Sequence, residues 1–241
     1  MLTDTQRRSF WSSGYLPLGQ VAAPHQARAL RCEFENLTNP ASPAVPEDHL
    51  MRSPDGGHIR VGLHLCHLSS LFRTLAIDPA VMDMIGRLFG EEPAALTSLV
   101  FNKPPRIGEE LLAHQDLAYY PYLGADDLIT CWIALDDVDL ANGAVQYLPG
   151  THRTPIAHER TGQQQALAIN PASLDDDNAV SVALTSGEAV AHHGLTVHRS
   201  APNTSSRPRL GAAILYIRAS TTVSAADFPY PALTREAEDR A

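Results

Sequence analysis

Three residues in the second half of the chain have the types and spacing to hold a metal ion. His114 and Asp116 stand two apart in His114-Gln115-Asp116, and His198 follows far downstream. On extended backbone, side chains two apart point the same way, so a strand end can present an imidazole and a carboxylate to one ion. A histidine from a later strand then completes one face of an octahedron, the 2-His-1-carboxylate arrangement that leaves three positions open. Taken alone, a His-x-Asp pair fits a surface loop or a satisfied core histidine as well, and the same donors suit zinc. The residues after His198 add to it: Arg199-Ser200-Ala201-Pro202-Asn203 leads through Arg207 and Arg209 into an apolar run. An iron site that activates oxygen needs electrons, and a bidentate 2-oxoacid is one source. Its distal carboxylate needs a buried cation with fork geometry, which arginine offers. Arg207 and Arg209 share a face of an extended chain, so parity does not choose between them.

These residues need a scaffold, and the hydrophobic pattern indicates one. The first ninety residues read as helices joined by loops. Asp4 is placed to cap a short helix through Phe10 and Trp11 that ends at Gly14. A second helix runs from about Pro24 to Asn36, with Ala27, Leu30, Phe34 and Leu37 near helical spacing. Residues 38–57 carry four prolines and two adjacent glycines and read as a loop. Asp78-Pro79 caps and opens a helix through Val81, Ile85 and Leu88 that stops at Gly90. After that the pattern turns to short strands: Ala95 to Phe101, Leu128 to Leu135, Ala144 to Leu148, Val180 to Leu184, Ala189 to His193 and Leu210 to Ile217. Asn142-Gly143 predicts a hairpin joining the second and third of these. The expected fold is mainly β, a sandwich or barrel with an N-terminal helical layer. No repeat or shift in composition divides the chain. One domain is expected over 1–241, with mostly helical support over 1–90, a β core over 91–220 and a lid or surface loop over 157–181.

Composition limits the function classes. Of 241 residues 44% are hydrophobic and 19% charged, and the formal net charge is −9. An acidic surface disfavours phosphate backbones and anionic lipid, so neither nucleic acid nor membrane is an expected partner. Cys32, Cys66 and Cys131 are widely spaced, which argues against a disulfide framework and for a reducing compartment. The first residues lack the apolar stretch of a secretory signal, and no apolar run approaches the length of a membrane span. A cytoplasmic protein is expected, monomer or dimer.

An ordered set of motifs resembles the phytanoyl-CoA dioxygenase family: Phe101-Asn102-Lys103-Pro104-Pro105, His114-Gln115-Asp116 through Tyr122, Cys131-Trp132-Ile133-Ala134-Leu135-Asp136-Asp137, Asn142-Gly143, and Leu148-Pro149-Gly150-Thr151-His152. It continues through Gly187-Glu188-Ala189-Val190, His198-Arg199-Ser200 and Asn203 to Arg209. The resemblance covers roughly 60–217, with a weaker match at Gly14-Tyr15-Leu16. It implies a double-stranded β-helix (a jelly-roll, cupin-like barrel) and a dioxygenase using Fe(II), 2-oxoglutarate and molecular oxygen. His114, Asp116 and His198 would then be the iron ligands. Arg209 would bind the distal carboxylate of 2-oxoglutarate, with Ser200 hydrogen-bonding it, Trp132 walling its pocket and Lys103, the one lysine of the chain, as a further contact. Relatives that halogenate replace the carboxylate ligand with a small residue; Asp116 is present. The implied reaction is hydroxylation of an unactivated C–H bond of a small molecule, in secondary metabolism, with desaturation, cyclisation or epimerisation as alternatives on the same cofactors. Readings from other classes are a zinc hydrolase and a non-catalytic cupin-like binding module.

Further residues are candidates for the substrate side. Tyr119, Tyr120 and Tyr122 follow the first ligands and either line a pocket or pack. His192 and His193 alternate faces, so at most one of them, with His193 as the candidate, faces the site. His64 and His67, in a β-like run, read as structural, as does His152. The polar segment from His158 to Asn178 contains Gln163-Gln164-Gln165 and Asp175-Asp176-Asp177, the latter read as a solvated loop.

Overall fold

The computed structural model describes residues 2–41, 44–161 and 166–235, so the Gln163-Gln164-Gln165 run lies outside the described residues. The first helix, α1 (Asp4–Ser13), is capped by Thr3, one residue before the expected cap Asp4. The Thr3 hydroxyl accepts from the Gln6 N–H while the Gln6 side chain accepts from the Thr3 N–H, a reciprocal cap. Gly14, at φ 86°, ends it and leads into β1 (Tyr15–Gln20). Then come α2 (Pro24–Leu37), β2 (Leu50–Arg52), β3 (Ile59–Leu63), α3 (Leu65–Leu68), α4 (Ser70–Ala76) and α5 (Pro79–Phe89). The last of these has the expected Asp78 cap and Gly90 stop. Strands β4 (Pro93–Lys103), β5 (Leu111–His114), β6 (Leu128–Ala134), β7 (Val145–Tyr147), β8 (His158–Arg160) and β9 (Leu167–Ile169) follow. The series closes with β10 (Val180–Ser181), β11 (Glu188–His193), β12 (His198–Ser200) and β13 (Arg209–Arg218).

The strands form a seven-stranded antiparallel sheet in the order β1-β11-β6-β13-β4-β3-β2 and a four-stranded sheet β10-β7-β12-β5, with β8 and β9 as a separate ribbon. Together they make the expected double-stranded β-helix. Two features depart from the sequence expectation. First, Asn142-Gly143 does not join β6 and β7 in a hairpin, because those strands lie in different sheets. Asp139 and Asn142 cap a 3-10 turn that carries the chain across, and the apolar run of β6 is a central strand between β11 and β13. Second, the N-terminal part is not only helical: β1, β2 and β3 extend the large sheet at both edges. Pro17 and Gly19 disguise β1, but it is an edge strand with an irregularity between those two residues, where both are tolerated.

Alternation along β13 sorts the core into two layers. Leu210, Ala212, Ile214 and Tyr216 pack with the helices, against residues such as Leu30, Phe72 and Ile85. Ala213, Leu215 and Ile217 face the barrel interior with Leu96, Trp132 and Tyr147. The large sheet is therefore covered on both faces, and its interior face carries the site. Cys32, Cys66 and Cys131 are free thiols. No helix among the described residues is long and apolar enough to cross a membrane.

Candidate active site

His114 ends β5 and pairs directly with His198 at the start of β12. In a narrow antiparallel pair such neighbours are close, and the two ring centroids lie 4.3 Å apart. The Nδ1 of His114 bonds the Leu112 carbonyl at 2.8 Å, and that of His198 bonds the Thr196 carbonyl at 3.0 Å. A carbonyl can only accept, so each Nδ1 carries the proton and each Nε2 is left as a lone-pair donor. Both Nε2 atoms lie 3.5 Å from Oδ1 of Asp116. Donor atoms of His114, Asp116 and His198 all fall within 4.8 Å of one another, the one such group among the described residues.

Asp116 is held from behind. Its Oδ2 accepts from the Thr130 hydroxyl at 2.6 Å and from Nε2 of His192 at 2.9 Å. His192 is fixed in turn by the Tyr147 hydroxyl at 3.2 Å, and Tyr147 stacks on Tyr15 of β1. Burial pushes the Asp116 carboxyl up, but His198, His114 and His192 outweigh it and hold it well below the usual carboxylate range. Burial, with His114 beside it, pushes His198 down to about 3, so its imidazole is neutral. A carboxylate with one oxygen aimed at the Nε2 atoms of two imidazoles is a donor set that fits a divalent iron, with the outer partners such sites need.

These groups open into a cavity of about 500 Å³ lined also by Trp132, Ser200 and Arg209. Arg209, at the first position of β13, is 2% exposed, and its guanidinium lies 4.5 Å over the Trp132 ring. Gly211 makes that contact possible: a Cβ there would sit 2.0 Å from the indole. Burial pushes the Arg209 pKa down to about 10, still protonated, and its Nε is enclosed with no hydrogen-bond partner. A buried cation without an anion is costly, so the arrangement calls for a carboxylate. Arg207 precedes the strand, outside the alternation that would place it with Arg209, and pairs with Asp139 on the surface.

Lys103 is not part of the cavity wall. Its Nζ donates to the Ser200 hydroxyl at 2.7 Å and lies within hydrogen-bond distance of the Ser200 and Ala201 carbonyls, while Asn203 holds the Lys103 carbonyl. Burial and the nearby Arg209 push it down to about 6. Because Ser200 accepts from Lys103, its own O–H points elsewhere as a donor. Tyr119 and Tyr120 line the cavity, as does Tyr122. Tyr119 also clasps the β8–β9 ribbon, its hydroxyl accepting from the Leu167 N–H at 2.9 Å. His193 is placed away from the cavity. In β11 Val190 and His192 face inward with their partners Trp132 and Thr130, so His193 turns to the other side, bonding Asp126 and packing with Trp11 and His152. His64 is not in a strand: it precedes α3 at φ 61° and lines the cavity, while His67 stacks on Tyr230. Asp176 of the acidic run pairs with Arg199. Sequence reasoning missed Thr130, His192 and Tyr147; the pairing of β11 with β6 is the signal that selects His192 over His193.

The sequence model of the phytanoyl-CoA dioxygenase family matches residues 10–211. A phytanoyl-CoA dioxygenase of Arabidopsis thaliana is 24% identical over 244 residues, covering 86% of this chain and 86% of its own. The phytanoyl-CoA dioxygenase domain-containing protein 1 of Danio rerio is 27% identical over 257 residues, covering 87% and 88%. Among solved structures, EctD from S. alaskensis with 2-oxoglutarate and 5-hydroxyectoine has a TM-score of 0.78 at 22% identity, covering 92% of this chain and 78% of that one. The epimerase SnoN in complex with Fe3+, alpha ketoglutarate and nogalamycin RO has a TM-score of 0.73 at 21% identity, covering 90% and 84%.

Proposed function

This chain belongs to the phytanoyl-CoA dioxygenase family and is an Fe(II)- and 2-oxoglutarate-dependent oxygenase; on that premise we propose that it hydroxylates an unactivated C–H bond of a small molecule of secondary metabolism. The observation that carries the reading is the convergence of His114, Asp116 and His198 on one wall of a cavity that also holds an unpaired Arg209. In this reading the domain spans 1–241, and His114, Asp116 and His198 hold the iron. Bound there, Fe(II) and 2-oxoglutarate supply the oxidative decarboxylation that activates O2 for insertion into the C–H bond.

The residues divide the remaining tasks. Arg209 takes the distal carboxylate of 2-oxoglutarate in its fork, with the Ser200 hydroxyl donating beside it. Trp132 flattens the guanidinium and excludes water from it. Lys103 acts through Ser200, whose rotor it fixes, rather than by touching the cosubstrate. His192 and Thr130 keep one carboxylate oxygen of Asp116 turned away, so that the other faces the two histidines. Tyr119 and Tyr120 contribute apolar ring surface on the substrate side.

SnoN is an alpha ketoglutarate dependent epimerase, and SnoK, another structure similar to this chain, is a carbocyclase, so the same cosubstrate in this fold serves other outcomes; Asp116 favours oxygen rather than halide transfer here. A zinc hydrolase and a non-catalytic module are the competing readings, and neither calls for 2-oxoglutarate on the metal. The test is anaerobic addition of Fe(II) and then 2-oxoglutarate to the protein. A weak visible metal-to-ligand charge-transfer band is expected; bound iron with no band overturns the assignment.

A further inference from the structure

The cavity has a second end, built from polar groups that nothing in the protein satisfies. The Tyr122 hydroxyl is enclosed without a hydrogen-bond partner. Tyr120 lines the same wall, its ring edge-on to Tyr122, and its hydroxyl has no protein partner. His64 faces the same space: its Nδ1 is bound to the Thr97 hydroxyl at 2.8 Å, while its Nε2 meets no protein group. Its backbone is left-handed, φ 61° and ψ 24°, a conformation that costs a non-glycine residue energy and persists where surrounding structure enforces it. Phe228 packs against His64 at 5.2 Å and joins the same cluster as Tyr120 and Tyr122.

The sheet register measures where this end lies. Thr130, which holds Asp116, pairs with Leu215 of β13, and Thr97, which holds His64, pairs with Leu215 from the other side. The two anchors are therefore two strand spacings apart, roughly 10 Å. Arg209 is displaced from that level along β13, its guanidinium reaching back over Trp132, whereas His64 is displaced across the strands, so the two lie in different directions from Thr130.

Apart from Asp116 and Arg209, the charges lining the cavity are already neutralised or solvated. Arg60 pairs with Glu109 and donates to the Glu110 carbonyl. Arg199 pairs with Asp176 and Gln146, and Asp227 is exposed and accepts from Ser224. His64 is itself neutral, burial and the neighbouring His49 and His67 having pushed it down to about 4.

We propose that His64, Tyr122 and Tyr120 form a specificity subsite that receives an uncharged hydroxyl or carbonyl of an otherwise apolar substrate. This rests on the oxygenase reading only in taking the cavity as the place where substrate binds. The test titrates 2-decalol, 2-decalone, decalin-2-carboxylate and 2-aminodecalin, by calorimetry, into the protein with and without anaerobic Fe(II) and 2-oxoglutarate. The alcohol and ketone bind at least tenfold more tightly than the acid and the amine. Tyr122→Phe and His64→Leu each weaken the alcohol at least fivefold, with 2-oxoglutarate affinity within twofold of wild type. Tyr122→Phe removes only an unpaired oxygen, so its Tm does not fall, and it decides the matter alone if His64→Leu misfolds. The proposal is overturned if the acid or amine binds as tightly as the alcohol, if neither neutral compound binds, or if Tyr122→Phe binds the alcohol as wild type does. Failure of the visible band with the head-group ranking intact would instead sink the iron reading and leave the subsite standing.

Discussion

Two trios of histidines have opposite characters, the first lining the cavity and the second reaching it only through His64. His114, His192 and His198 surround Asp116, and each has at least one ring nitrogen committed to a backbone carbonyl, a carboxylate or a tyrosine hydroxyl. His49, His64 and His67 surround aromatic rings instead: His49 meets His64 edge-on at 5.1 Å, and His67 stacks on Tyr230 at 4.6 Å. Their nearest carboxylate, Asp48, is exposed. Proximity of imidazoles is common to both. Hydrogen-bonded ring nitrogens occur in both as well, but a buried carboxylate belongs to the first alone, and it separates a metal site from a packing and recognition site.

The largest effects test that division directly. Asp116→Ala and His198→Ala are expected to lower Fe(II) affinity by more than the roughly 100-fold ceiling seen for outer partners, while His67→Ala leaves it unchanged in the same titration. Arg209→Met comes next: metal binding persists, and 2-oxoglutarate affinity read from the visible band falls about 10- to 150-fold, the worth of a charge-assisted contact of about 1.5–3 kcal/mol. His192→Phe is expected to cost about 10- to 100-fold in metal affinity, although it touches no metal. If it behaves like His67→Ala, the distinction between the trios fails at that residue. Gly211→Ala drives a methyl into Trp132 and is expected to destabilise the fold by about 1–3 kcal/mol in chemical denaturation. The smallest effect is on acid stability. His64 has a lower pKa in the fold than in the open chain, so unfolding takes up a proton. Its contribution is present above about pH 6.5 and is lost as the pH falls toward about 4. His64→Phe, which leaves His49, Asp48 and His67 in place, should therefore show a shallower fall of Tm across that window.

The same contrast explains what could be read from sequence. His114, His198 and Arg209 sit at strand ends, where side-chain parity and spacing survive in the sequence, and Asp116 opens the 3-10 turn that follows β5 rather than continuing the strand. The choice of Arg209 over Arg207 needed the point at which β13 begins, which resemblance supplied and parity did not. His192 was confined to one of two residues and then misassigned to His193, because the face of β11 is set by its pairing with β6 rather than by its own pattern. The Asn142-Gly143 turn has hairpin chemistry, yet Asp139 and Pro208 capture the Asn142 side chain and send the chain to the other sheet. Tyr122 and His64 had no local signal: an unpaired hydroxyl and a strained backbone are properties of the assembled cavity.

β1 carries a consequence for the order of assembly. Tyr15 of that strand pairs with His192 and stacks on Tyr147, and the neighbouring Gly14 carbonyl accepts from Thr196, 182 positions away. β1, the first of these strands in chain order, therefore waits for β11 before it has a partner. Closing so long a loop is slow, and its reward comes only when both ends are present. Donor geometry at Asp116 is thus completed late in synthesis, and a nascent chain short of β11 has the ingredients of the metal site without its alignment.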